Sequence, residues 1–254
     1  MIIDVHAHYD DEAFATDLED VMAKLKEGNI VAISSSSSVE SSKENIEIAK
    51  KYDNIYITIG IHPHEAKDAP NDFEDALFEL ARFEKNVAIG EIGLDYHYDF
   101  SPRDVQRDVF VRQIEVAKAL NLPIVVHSRE AHKDTLDILL EKAVGKIPVL
   151  IHCYSGSVEM SRILRKHGIY ISVGGVVTFQ NAKKLIEVVK EYPIELLMLE
   201  TDSPYLTPHP HRGKRNDSTY LKYVIQKIAQ IKEVSEDVVI EKTTQNAKNF
   251  FGIK

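Results

Sequence analysis

Short apolar runs recur along the chain at 2–8, 30–33, 55–59, 87–91, 123–127, 148–152, 169–173 and 196–202. Each is rich in Ile, Val and Leu, and each reads as a strand. Between them lie amphipathic stretches with helical spacing, at 17–27, 44–52, 72–84, 104–120, a stretch ending at 143, 157–167 and 180–191, with two more at 219–231 and 235–250. In 17–27, Leu18, Val21, Met22 and Leu25 share one side and Gly28 closes the helix as a C-terminal cap would. The strand runs are apolar on both sides rather than alternating, as in a parallel sheet covered by helices. Eight such runs alternating with helices predict an α/β fold, a (β/α)8 TIM barrel forming a single domain over 1–254. An open doubly wound sheet is the competing architecture, but the first strand-helix turn lacks its glycine-rich phosphate loop. The serine run Ser34 to Ser38 reads as small residues at a strand end, not as a linker.

Composition narrows the setting. A length of 254 residues with 44% hydrophobic content suffices for one large core. A lone cysteine, Cys153, excludes an internal disulfide framework and fits a reducing compartment. There is no signal-peptide pattern at the start and no apolar run long enough to span a bilayer, so a cytoplasmic protein without membrane attachment is expected. The net charge of −9 argues against a protein that coats nucleic acid non-specifically, though not against an enzyme that engages a strand end at a local site.

The polar residues within the apolar runs carry the chemistry. In the first run Asp4, His6 and His8 alternate, which places them on one face of a strand with two imidazoles able to reach one divalent cation. A barrel holds its active site at the C-terminal ends of its strands. His6 and His8 end the first strand, Glu91 the fourth, His127 the fifth, His152 the sixth and Asp202 the eighth. Six ligands exceed what one catalytic ion with an open position uses, so two ions are expected. Glu91 is the expected bridge, with His6, His8 and Asp202 completing one site, His127 and His152 the other, and Asp4 lying deeper behind them. Two divalent ions less two carboxylates leave a positive site that attracts a phosphodiester. Cys153 beside His152 is not expected to be a nucleophile, because strand neighbours point to opposite sides.

These motifs resemble the TatD family of metal-dependent deoxyribonucleases, within the amidohydrolase-like barrels. The resemblance runs through Asp4-Val5-His6-Ala7-His8, Gly60-Ile61-His62-Pro63-His64, Gly90-Glu91-Ile92-Gly93-Leu94-Asp95-Tyr96, His127-Ser128-Arg129-Glu130-Ala131, His152-Cys153-Tyr154-Ser155-Gly156 and Glu200-Thr201-Asp202-Ser203-Pro204-Tyr205. It implies the same six ligands and a hydrolase that removes nucleotides from the 3′ end of DNA, preferring single strands or 3′ ends. One departure is that Gly213-Lys214-Arg215-Asn216 runs into Asp217-Ser218-Thr219, where relatives carry a proline, which bears on substrate preference.

The expected mechanism is metal-assisted hydrolysis, with Asp202 taking or shuttling the proton of the attacking water and Glu91 bridging the ions. His62, His64, Arg129 and Tyr154 are candidate contacts to the phosphate or terminal nucleotide. Arg212, Lys214 and Arg215 are candidates for the strand backbone, Tyr205 for stacking on a base, and Asp95 for orienting nearby loops. The ligand set admits zinc, manganese, cobalt, iron or supplied magnesium. Two other readings stand beside this one: ester or amide hydrolysis such as removal of a D-amino acid from tRNA, and a non-catalytic nucleic-acid-binding protein with structural metals. Oligomeric state is left open by the sequence.

Overall fold

Parallel pairing of every apolar run with its successor generates the architecture. The computed structural model describes residues 1–253; Lys254, the last residue of the expected 1–254 domain, lies outside the described residues. The strands are β1 (Ile2–Ala7), β2 (Ile30–Ser35), β3 (Ile55–Ile59), β4 (Asn86–Asp95), β5 (Ile124–Arg129), β6 (Val149–Ile151), β7 (Tyr170–Val173) and β8 (Leu197–Leu199). They form one eight-stranded parallel sheet in sequence order. Around it lie α1 (Leu18–Glu27), α2 (Val39–Lys51), α3 (Phe73–Leu80), α4 (Arg103–Leu120), α5 (His132–Lys142), α6 (Val158–Lys166), α7 (Lys183–Glu191), α8 (Leu221–Lys232) and α9 (Glu236–Phe251). The fold is thus the (β/α)8 barrel that the alternation predicts, and no helix among the described residues is long and apolar enough to cross a membrane.

Two apolar layers hold it together. Inside, Ile3, Val5, Ile33, Val87, Val125, Leu150 and Met198 pack with Ala247, Phe250, Phe251 and Ile253, so α9 and the residues after it stopper the end of the barrel at which the strands begin. The second layer lies between the strands and the helix ring, where Phe14, Phe73, Phe110 and Tyr192 are fully buried. With one end plugged, the other end is left as the mouth.

The barrel is closed between β8 and β1 by few backbone bonds. Asp202 N donates to His6 O at 2.9 Å and His8 N to Ser203 O at 2.7 Å. The carboxylate of Asp4 supplies the rest. It accepts from Thr201 N at 3.0 Å, from the Thr201 hydroxyl at 2.6 Å, from the Ser218 hydroxyl at 2.6 Å and from His6 N at 3.3 Å. Asp4 therefore does not share the ligand face of His6 and His8, contrary to expectation. The β1 register slips between Asp4 and Ala7, which breaks the two-residue alternation and turns Asp4 toward Thr201 and Ser218.

Other departures have local causes. α2 begins at Val39, five residues before the expected start, because Ser38 caps it by accepting from Ser41 N at 3.1 Å. β4 runs on to Asp95 because Gly93, at φ +145°, lets it lie against β5; a Cβ there would fall 2.0 Å from the His127 carbonyl oxygen. Gly28 does not take the left-handed cap conformation, which passes to Asn29 at φ 52°. β8 ends at Leu199, so Glu200 to Asp202 leave the ladder, with Asp202 at φ 56°.

Burial pushes the Asp4 carboxyl up to about 7, against the hydrogen bonds from Ser218 and Thr201 that pull it down. A carboxyl raised in the folded state favours folding while protonated and loses that contribution as pH rises from its unfolded value toward 7. Asparagine at this position still accepts from the two backbone N–H groups and donates to the two hydroxyls, but cannot ionise. Unfolding of chelator-treated protein in urea is therefore predicted to show Asp4→Asn gaining on the wild type by roughly 2–3 kcal/mol between pH 5 and pH 8. A difference that stays flat over that range contradicts the assignment.

Candidate metal centre

At the mouth, the strand ends converge on the carboxylate of Glu91. Its Oε2 lies 3.2 Å from His6 Nε2 and 3.7 Å from His8 Nε2. Its Oε1 lies 2.7 Å from His152 Nε2, 2.8 Å from His127 Nδ1 and 3.4 Å from His62 Nε2. Asp202 Oδ1 stands 3.4 Å from His8 Nε2 and 3.7 Å from His6 Nε2. All six residues expected from the strand ends thus meet in one cluster, divided into two halves by the two oxygens of Glu91.

The outward-facing ring atoms decide which nitrogens are free to coordinate. His8 Nδ1 lies 3.0 Å from the Ser35 carbonyl oxygen, which can only accept, so that nitrogen carries the proton and Nε2 presents a lone pair. His6 Nδ1 reaches the Ser35 hydroxyl at 3.0 Å, and the ring stacks on His152 with centroids 3.8 Å apart. His127 donates from Nε2 to Asp95 Oδ2 at 3.2 Å, which turns Nδ1 toward Glu91 Oε1 at 2.8 Å. His152 turns Nδ1 toward Glu200 Oε2 at 3.7 Å and Nε2 toward Glu91. Carboxylate and carbonyl partners of this kind fix the tautomer and orientation of metal-binding imidazoles.

With the rings so held, lone pairs face each other. His6 Nε2 and His8 Nε2 are 3.2 Å apart, and so are His127 Nδ1 and His152 Nε2. Two facing lone pairs repel unless a proton or a metal cation lies between them. Two nitrogens bound tetrahedrally at the usual zinc distance stand about 3.3 Å apart, which this spacing matches. Compatible donor groups are His6, His8 and Glu91; His6, His152 and Asp202; and His62, Glu91 and His127. His62 differs from the others because its Nδ1 accepts from His64 N at 3.1 Å. A neutral His62 then carries its proton on Nε2 and acts as a donor toward Glu91, leaving no lone pair for a metal.

Electrostatics give the same picture. Burial works to raise Glu91, but the surrounding imidazoles, His152 first, hold its carboxyl well below the usual range. Burial likewise opposes ionisation of Asp202, which His8 and His6 nonetheless pull down to about 2. Burial lowers His8, yet Asp202 and Glu91 outweigh it and lift the ring to about 9. His62 is lowered to about 4, chiefly by burial. Protons shared among buried carboxylates and imidazoles occupy the place that cations take, and metal binding releases them.

Sequence reasoning did not reach the groups behind these rings. Ser35 serves both N-terminal histidines, Ser36 O accepts from Glu91 N at 3.0 Å, and Ser37 O accepts from His62 N at 2.9 Å. The serine run is thus the scaffold of one side of the site, and its place at a strand end was the available signal. Asp95 joins loop and site: Oδ1 accepts from His97 N and Tyr98 N, each at 2.9 Å, while Oδ2 accepts from His127 and, at 2.9 Å, His64. Cys153 has its thiol pushed up by burial and by Glu200, the reverse of an activated thiolate. It lies past the end of β6 at φ 43°, so the geometric argument from strand neighbours does not apply to it.

The expected substrate contacts divide. His62 and His64 adjoin the cluster, with ring centroids 4.5 and 6.4 Å from His127. Arg129 ends β5 with its guanidinium over Tyr98, and Tyr205 is half exposed beside His8, bonded to Asp11 at 2.6 Å. Tyr154 is buried and donates to Ser157 O at 2.7 Å. Arg215 grips both oxygens of Asp17 at 2.7 Å and covers Phe14, while Arg212 lies over Phe179. The structure keeps Tyr154 and Arg215 on protein partners and does not bring them to the cluster.

The family model described as "TatD related DNase" matches residues 3–252. The chain belongs to the TatD family. A Bacillus subtilis metal-dependent hydrolase, YabD, is 46% identical, with all of both chains covered. The Escherichia coli 3'-5' ssDNA/RNA exonuclease TatD is 32% identical, with 99% of each chain covered. The crystal structure of YjjV, a TatD homologue from E. coli, superposes with a TM-score of 0.93 at 25% identity, covering 100% of this chain and 98% of that one. Membership in TatD makes the chain a metal-dependent hydrolase, and the mouth cluster is its candidate metal site.

Removing the Ser35 hydroxyl frees His6 Nδ1 while leaving the carbonyl that holds His8. Ser35→Ala is predicted to weaken metal binding about tenfold, read by competition with a chelator. Unaltered affinity would mean that stacking on His152 alone fixes the His6 ring.

Proposed function

We propose that this chain hydrolyses phosphodiester bonds of DNA, removing nucleotides from the 3′ end, at a centre of two divalent cations. The observation that carries the reading is the pair of facing lone-pair sets with Glu91 between them. His6, His8 and Asp202 would hold one cation and His127 and His152 the other, with Glu91 placed between the two sets. A histidine-rich set suits zinc, manganese, cobalt or iron. The related E. coli exonuclease supports nucleic acid as the substrate.

When bound, the cations supply Lewis acidity to the phosphoryl group and an acidified attacking water. The protein's own residues do the rest. Asp202, ionised and partly exposed at the mouth, takes the proton of the attacking water. His62, neutral with its one ring proton on Nε2, would turn that donor from Glu91 to a phosphate oxygen. Asp95 and Ser35 keep His127, His6 and His8 from rotating as charge shifts. His64, tied to Asp95, lines the approach to the linkage.

Metal-depleted protein titrated with zinc, manganese, cobalt and magnesium is predicted to release mononucleotides from 3′-labelled single-stranded DNA only when metal is present. Glu91→Ala should lower kcat by 10²-fold or more, on the order expected for loss of a metal-borne charge-stabilising group. DNA left intact under every condition, with D-aminoacyl-tRNA hydrolysed instead, defeats the reading.

A further inference from the structure

The loop after β4 carries two aromatic rings that the fold leaves uncovered. Tyr98 is 47% and Phe100 55% exposed, although neither contributes to a core. They lie against each other, with centroids 5.2 Å apart and planes inclined by 24°. The guanidinium of Arg129 sits over Tyr98 at 4.7 Å. The neighbouring charges are paired, Asp99 with Arg103 and Glu130 with His97, whereas Arg129 forms no ion pair among the described residues.

The loop that carries the rings is tied to the residues beside the metal cluster. Tyr98 N is bonded to Asp95 Oδ1, and Ser101 donates to His64 O at 2.8 Å, so the loop is pinned on both sides of the pair. His64 packs edge-on against both rings, at 5.3 Å from Tyr98 and 4.8 Å from Phe100. The same His64 bonds Asp95, which orients His127. His64 thus bridges this surface and the cluster, with its ring centroid 6.4 Å from that of His127.

We propose that Tyr98 and Phe100, with Arg129, form a stacking platform for an unpaired nucleobase of a single-stranded substrate, next to the linkage held at the metal centre. This rests on the phosphodiesterase reading above. Aromatic faces accept any base, and the free guanidinium pairs with the adjoining phosphate, which gives the chain a local attachment despite its net charge of −9. An exposed, preorganised apolar pair beside a catalytic mouth has the properties of a binding surface and adds nothing to folding.

The test uses metal-loaded protein and a single-stranded oligonucleotide with phosphorothioate linkages at its 3′ end and 2-aminopurine near it. Wild type is expected to quench the 2-aminopurine. In Tyr98→Leu with Phe100→Leu the quenching disappears and Kd rises within the range of roughly 5- to 150-fold that loss of one stacked base produces. An abasic site at the quenched position should raise the wild-type Kd to a similar extent and leave that of the double variant unchanged. Leu140→Ala, an exposed residue on α5, controls for general loss of apolar surface. Quenching retained in the double variant, independent effects of the two changes, or no quenching by wild type overturns the platform. Hydrolysis of bis(p-nitrophenyl) phosphate, which has no base, is measured separately. Its absence with quenching intact removes the phosphodiesterase reading and leaves the platform, and its presence with no effect of the double variant on oligonucleotide binding does the reverse.

Discussion

The carboxylate of Glu91 sits among imidazoles, of which His6, His8 and His127 are hydrogen-bonded from behind, and that constraint organises the rest of the molecule. A buried carboxylate is costly unless it is compensated. Here the compensation comes from strands far apart in sequence, so the barrel must close for the charge to be tolerated. The plug of Phe250 and Phe251 at the opposite end makes the mouth the polar end.

Support for the site is distributed over neighbouring elements. Ser35 on β2 orients a ring from β1 and the ring just past its end; Asp95 at the end of β4 orients a ring from β5; Glu200, beyond β8, faces a ring that follows β6. Asp4 then ties β1 to the segment after β8, where the ladder has too few bonds of its own. Closure of the barrel and placement of Asp202 are therefore the same event, since Asp202 N bonds His6 O across that seam.

Most of this was legible in the sequence because the determinants are local. Apolar runs of strand length and amphipathic spacing fix the order of elements, and a charged residue ending an apolar run, as at Glu91, His127 and His152, marks the mouth. What escaped depends on contacts remote in sequence. Strict alternation puts Asp4 on the ligand face, whereas the register slip in the pairing of β1 with β2 is not written in the local sequence. The serines read as small filler because nothing in their composition tells which hydroxyl or carbonyl meets a histidine. Tyr98 and Phe100 fall between the run at 87–91 and the helix at 104–120, and their exposure is a property of the folded surface.

The central claim is that these six side chains hold paired cations bridged by Glu91. Anomalous diffraction from crystals of the metal-reconstituted protein tests it most directly. The account predicts two peaks about 3.5–4 Å apart, one beside His6, His8 and Asp202 and the other beside His127 and His152, with an oxygen of Glu91 on each. A single ion enclosed by four protein ligands, or ions located away from Glu91, would contradict it.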